Sequence, residues 1–154
     1  MAVQAFKAWN RSKHNLSITS GILLGNSTFT AHLVTSASNF STTTLSTLGS
    51  ITSEVASGNN YKKSGHALTL TWTGLASAKS VTAKWTVNAF VWTATGGTIP
   101  NIRGLILVAV TGGSAKAAAN KLWLYASLTS AQFTLAQNNT LTITPNASGC
   151  VTLA

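Results

Sequence analysis

The stretch Ile102–Val110 reads I-R-G-L-I-L-V-A-V and indicates the fold most clearly. A short, almost wholly apolar run of this kind is typical of a central strand that is covered on both faces. Its uninterrupted apolar part, Leu105–Val110, is far shorter than the roughly 20 residues of a membrane-spanning helix. We therefore predict a buried central strand here and no membrane segment.

The segments around this strand alternate between apolar and polar residues. His66–Thr73 reads H-A-L-T-L-T-W-T, Lys79–Val87 reads K-S-V-T-A-K-W-T-V, and Thr28–Thr35 reads T-F-T-A-H-L-V-T. A period of two predicts strands with one face on a core and the other in water. Further strands are predicted at Phe90–Thr95, Leu122–Tyr125, Thr140–Thr144 and Cys150–Ala154.

Turn residues separate these strands. Gly and Asn in 57–65 and the pair Gly96–Gly97 suit turns with positive φ, and Ser36–Gly58 is predicted to be a long surface loop. Seven to nine short strands with such spacing predict an all-β, antiparallel β-sandwich of the jelly-roll or immunoglobulin-like type. We assign it to residues 21–154 as a single domain.

The first twenty residues are basic and carry Val3, Phe6 and Trp9 at helical spacing. We predict that 1–20 forms an N-terminal arm or short helix that packs on a neighbouring subunit, the alternative being a frayed terminus. On this hypothesis, removing the arm weakens assembly and leaves the domain folded.

The charge is one-sided. Ten Lys and Arg residues oppose a single acid, Glu54, which gives a formal net charge of +9. This balance fits a partner with a negative surface, although self-repulsion that keeps the protein soluble would explain it too. The candidate partner-contact residues are Phe6, Lys7, Trp9, Arg11, Lys13, Lys62 and Lys63.

Catalytic and metal sites are not expected. One acid cannot supply a carboxylate pair, and a nucleophile relay lacks its acid unless Glu54 serves. The lone Cys150 cannot form an internal disulfide and is interpreted as a core residue. His32 falls on the polar face of its strand and is predicted to be a surface imidazole. We predict no enzyme activity, no catalytic residue, no cofactor and no metal.

Three segments resemble small bacteriophage virion proteins. Phe90–Val108 reads F-V-W-T-A-T-G-G-T-I-P-N-I-R-G-L-I-L-V, Gly58–Leu68 reads G-N-N-Y-K-K-S-G-H-A-L, and Leu141–Leu153 reads L-T-I-T-P-N-A-S-G-C-V-T-L. They are similar to the strands and turns of capsid decoration, or cement, proteins. That family is usually far more acidic than this chain, and a basic member would suit a shell with acidic patches.

The resemblance implies a structural protein on the outside of a phage capsid that stabilises contacts between capsid subunits. It implies the major capsid protein as partner, a homo-oligomer that is a trimer by family analogy, and a virion location after synthesis in the host cytoplasm. Two alternatives stay open: a phage tail-fibre or receptor-binding module, and a basic nucleic-acid-binding domain. Nucleic acid is the less favoured, because the cations are scattered along the sequence.

Overall fold

The computed structural model describes residues 5–11, 28–73, 83–110, 119–145 and 151–153, with the backbone alone for 72–73, 83–86 and 151–153. These residues form twelve β-strands, one short 3-10 turn, Leu48–Ser50, and a helical pair of residues, 10 and 11, and every strand pair is antiparallel. The prediction of an all-β, antiparallel fold is confirmed. The strands are β1 (Lys7–Ala8), β2 (Thr28–Val34), β3 (His66–Leu68), β4 (Leu70–Thr73), β5 (Ala83–Val87), β6 (Phe90–Thr93), β7 (Ile99–Ile102), β8 (Gly104–Val110), β9 (Lys121–Ser127), β10 (Phe133–Leu135), β11 (Thr140–Ile143) and β12 (Val151–Leu153).

The largest sheet has five strands in the order β1-β9-β8-β2-β3, so the apolar strand β8 lies in its middle. Leu105 and Leu107 point into one hydrophobic cluster, whereas Ile106 and Val108 point into a second cluster on the opposite face. This arrangement confirms the prediction of a central strand that is buried on both faces. A strand covered in this way needs apolar residues at consecutive positions, which is what its sequence supplies.

The main core lies between this sheet and the shorter strands. Phe29 and Leu33 of β2 share it with Trp92 of β6 and Ile143 of β11. β6 pairs with β11, β7 pairs with β10, and β4, β5 and β12 form a three-stranded sheet. Strands that pack across a common core in separate sheets are consistent with a β-sandwich.

A loop covers the other face of the five-stranded sheet. This loop, 36–51, is part of the segment 36–58 that was predicted to lie on the surface, yet Phe40 and Leu48 are buried in the second cluster, against Ile106 and Tyr125. Gly104 makes room for this loop, since a Cβ there would lie 2.7 Å from the Phe40 ring. A loop with few large apolar residues, together with Trp9, therefore buries the middle of this sheet face.

Residues 5–9 of the predicted arm pack within the domain, which corrects the prediction that Phe6 and Trp9 pack on a neighbouring subunit. β1 pairs with β9, and Trp9 is fully buried with its ring centroid 4.7 Å from that of Tyr125. Phe6 is half-buried and packs on the main core. The helical spacing of these aromatic residues was misleading, because the edge of β9 offers backbone hydrogen bonds and the face beside it offers an apolar cleft. Residues 1–4 and 12–20 of the predicted arm lie outside the described residues.

The alternation pattern did not predict β7 and β10. β7 contains Pro100, which disfavours a strand unless it lies at a sheet edge, and β10 is only three residues long. The predicted strand His66–Thr73 divides into β3 and β4, which lie in different sheets. In β4 and β5, Trp72 is directly opposite Trp85, but the side chains of both residues fall outside the described part, as does Cys150.

Candidate functional site: a lysine turn beside a groove

The lysine turn, residues 58–65, carries two of the predicted contact residues. Lys62 and Lys63 are both exposed. The chain reverses through mutual backbone hydrogen bonds between Gly58 and Tyr61, and Asn60 adopts a φ of 73°. Asn tolerates this left-handed conformation better than most residues, as the sequence interpretation required.

Side-chain amides fix the lysine turn to the neighbouring hairpin. Asn59 Nδ2 donates to the Thr98 carbonyl at 2.6 Å, and Asn60 Nδ2 donates to the Thr93 carbonyl at 3.1 Å. The Thr95 N–H donates to the Asn59 carbonyl at 3.1 Å. Anchored at three points, the turn presents its two ammonium groups from a stiff support, which lowers the entropy lost when a partner binds.

Beneath the turn lies a chain of buried polar groups. The Tyr61 hydroxyl donates to Glu54 Oε1 at 2.9 Å and accepts the Leu33 N–H at 3.0 Å. His32 Nδ1 lies 3.0 Å from the same Glu54 oxygen, and His32 Nε2 lies 2.9 Å from the Thr30 hydroxyl oxygen. The only acid of the chain is thus held by two neighbours, with 15% of its side chain exposed.

The burial of His32 corrects the prediction of a surface imidazole. Its side chain is fully buried although it faces away from the main core. The predicted alternation of β2 is confirmed, since Phe29, Ala31 and Leu33 all lie in the main core. What the pattern could not show is that the loop and Gly65 cover the other face, so a polar residue there must find internal partners.

The order Thr30, His32, Glu54 matches that of a nucleophile relay, in which a hydroxyl, an imidazole and a carboxylate are hydrogen-bonded in series. A substrate cannot reach this hydroxyl in the described conformation. Thr30 is 3% exposed, and Gly65 packs so closely that a Cβ there would lie 2.9 Å from the Thr30 Cβ and 2.7 Å from His32 Nε2. The arrangement therefore satisfies buried polar groups and links β2 to the lysine turn.

Tyr61 should make the stability of the fold sensitive to alkaline pH. Burial, and secondarily the nearby Glu54 charge, raise the pKa of the Tyr61 hydroxyl well above its usual 10.0. The stabilisation that the protonated hydroxyl provides is fully present below pH 10. Above pH 10 the free energy of unfolding should fall by about 1.4 kcal/mol per pH unit, because the unfolded chain loses this proton first. Urea unfolding from pH 8 to 11 should show wild type more stable than Tyr61→Phe by about 1 kcal/mol at pH 8. The gap should close above pH 10, and a gap constant across this range would contradict the assignment.

A groove of about 330 Å³ runs beside the lysine turn. His66 stacks on Phe90 with ring centroids 5.6 Å apart and meets Trp92 edge-on at the same separation. Val91 is 41% exposed and is the one large apolar side chain that stands out from the described surface. The groove is lined by Asn60, Lys62, Gly65, His66, Val91, Trp92 and Thr93.

The predicted contact residues do not form one cluster. Lys7 and Arg11 are exposed at the β1 edge of the five-stranded sheet, whereas Lys62 and Lys63 lie beside β3 at its opposite edge. Four strand spacings of about 4.8 Å put these edges about 19 Å apart. Trp9 is buried and unavailable to a partner, and Lys13 lies outside the described residues.

No group of three potential ligands that could hold a metal ion occurs among the described side chains. Over the same residues, no helix is both long and apolar enough to cross a bilayer. Comparisons of the chain with protein-family models, curated proteins and solved structures found no match.

Proposed function

We propose that this protein is a structural virion protein that binds the outside of a phage capsid and stabilises contacts between capsid subunits. The observation that supports the proposal most strongly is that the side chain of Glu54, the only acid in the sequence, is mostly buried. Its carboxylate is engaged by His32 and Tyr61, so the surface carries cations without a free side-chain carboxylate to balance them. Such a surface is complementary to an acidic one.

The distribution of these cations favours a broad protein surface over nucleic acid. Cations at both edges of a sheet, about 19 Å apart, suit contacts spread over a wide interface. Readout of nucleic acid depends more on cations gathered along one face and on arginine, of which the chain has two. The major capsid protein is therefore the partner that we propose.

A receptor-binding module that stacks on sugars is less well supported. Such a module needs an aromatic face open to the ligand. In the groove, Trp92 is 5% exposed, and His66 is stacked on Phe90, so the rings mainly cover one another. The groove favours a ligand recognised by hydrogen bonds and charge.

The architecture also suits a cement protein. The central strands of the largest sheet are covered on both faces, by the main core and by the loop 36–51, which makes the domain hard to deform. A stiff domain can transmit load between two capsid subunits without unfolding. The proposal includes a homo-oligomer, since several copies at a symmetry axis would multiply weak contacts.

Electron microscopy can test this proposal with shells that lack the protein, from the particle whose genome encodes it. Added wild-type protein should appear as ordered density on the outer surface at symmetry-related positions. Replacing Lys62 and Lys63 together by Gln should lower occupancy without altering the fold, because both side chains are exposed. Shells that remain bare at saturating protein would refute the proposal.

A further inference from the structure

One edge of β6 is paired with β11, and the other edge is not paired with any strand of the described ranges. Ala94 follows the last residue of β6. Its N–H donates to the backbone carbonyl of Asn139, and its carbonyl accepts the backbone N–H of Asn138. Both asparagines directly precede β11, so the Ala94 backbone points towards β11. The Thr93 carbonyl points the other way, to the Asn60 side chain. Because successive residues of a strand alternate in direction, Val91 shares the orientation of Thr93 and presents its N–H and carbonyl away from β11.

This open side faces the groove. Within the described ranges, β6 pairs with β11 and with no strand on its other side, and β3 is the last strand of the five-stranded sheet. Residues 91–93 of β6 form one wall of the groove, and Gly65 and His66 at the start of β3 form the other. An unpaired strand edge of this kind is a template for a further strand.

We propose that an extended acidic peptide segment of the partner adds to the open edge of β6. Its backbone would exchange hydrogen bonds with Val91, and alternate side chains would turn in opposite directions. Apolar side chains would contact the exposed Val91 isopropyl group, and carboxylates would meet Lys62 and Lys63. The inference rests on the proposed function and names the surface and the kind of segment through which the partner is held.

Charge complementarity selects this occupant. A second copy of the chain would bring ten more cations and one acid, Glu54, that is held internally. Lys62, which lines the groove, and the neighbouring exposed Lys63 would repel it. The carboxylates of a peptide rich in glutamate or aspartate would instead be attracted to the same lysines. The peptide backbone would also supply hydrogen-bond partners for the unpaired N–H and carbonyl of β6.

Backbone and side-chain recognition can be separated with two substitutions at one position. Val91→Pro removes the N–H that faces the groove, whereas Val91→Ala shortens the side chain and keeps the N–H. The probe is a synthetic nonapeptide of alternating glutamate and valine, measured by isothermal titration calorimetry. We expect Val91→Pro to weaken binding about tenfold and Val91→Ala to weaken it about threefold. Lys62→Gln should weaken it severalfold.

Amide chemical shifts of the wild-type protein provide a second readout that needs no variant. Addition of the peptide should shift the Val91 amide and slow its hydrogen exchange, since a new bond protects it. A peptide of alternating lysine and valine should do neither. Equal binding by wild type and Val91→Pro, or an unperturbed Val91 amide at saturation, would overturn strand addition.

The same variants on shells separate this inference from the proposed function. If wild-type protein and Val91→Pro attach to shells equally well, the function stands and the β6 edge is not the docking site. If wild-type protein does not attach to shells while the peptide still binds at Val91, the groove proposal stands and the capsid proposal fails.

Discussion

Replacing Trp9 by alanine is expected to lower the free energy of unfolding by about 4 kcal/mol. The indole is fully buried against Tyr125 in the second hydrophobic cluster, so its removal leaves a large cavity. Urea denaturation followed by Tyr and Trp fluorescence would measure the change. Removal of residues 1–20 should likewise destabilise the domain, contrary to the hypothesis of an independent arm.

Arg11→Ala is the matched control for this prediction. Arg11 is exposed two residues further along the chain, so its loss should change stability by less than about 0.5 kcal/mol. If Trp9→Ala unfolds at the wild-type denaturant concentration but binds its partner poorly, the ring belongs to an interface, and the packing described for the N-terminal strand is wrong.

Replacing Glu54 by alanine should cost about 3 kcal/mol of folding free energy, because two hydrogen bonds to the carboxylate are lost. The substitution leaves the Tyr61 hydroxyl and His32 Nδ1 without their shared acceptor. Buried donors without partners cost more than the hydrogen bonds themselves contribute. Thermal unfolding at neutral pH would give the magnitude.

Glu54→Gln separates geometry from charge. It keeps Oε1, the acceptor that both neighbours share, and removes only the charge, so its cost should be smaller, about 1 kcal/mol. Because the carboxylate is withdrawn from the surface, both variants should keep the wild-type affinity for the partner when measured well below their unfolding temperatures. A gain in stability on Glu54→Ala would contradict the described network.

The strands that could be predicted from the sequence are those whose own residue pattern indicates which faces are buried. β8 is apolar at consecutive positions and is covered on both sides, and β2 alternates with Phe29 and Leu33 on the core face. β7 and β10 could not be read in this way, because one contains Pro100 and the other is too short to show a period.

The candidate site was predictable in part. Lys62 and Lys63 were found because Gly and Asn flank them in a turn, but the groove depends on β3 and β6 meeting across different sheets. The burial of His32 depends on a loop whose path no local pattern encodes. One signal was available: a single acid among ten cations is expected to have a specific internal role, and Glu54 has one.

The same reasoning explains the misplaced Trp9. Its spacing from Phe6 suggested a helix, and a tail with two aromatic residues suggested a neighbouring subunit. In the structure both aromatic residues pack within the same domain, because β1 pairs with the edge of β9 and Tyr125 offers an apolar surface to Trp9.

The dependence of shell attachment on ionic strength tests the central claim most directly, namely that an unbalanced cationic surface recognises an acidic partner. Affinity of wild-type protein for shells should fall about tenfold between about 50 mM and about 500 mM salt, because exposed charges are screened. The double variant with Gln at positions 62 and 63 should show a weaker dependence. Attachment that is equally tight at both salt concentrations would contradict the account.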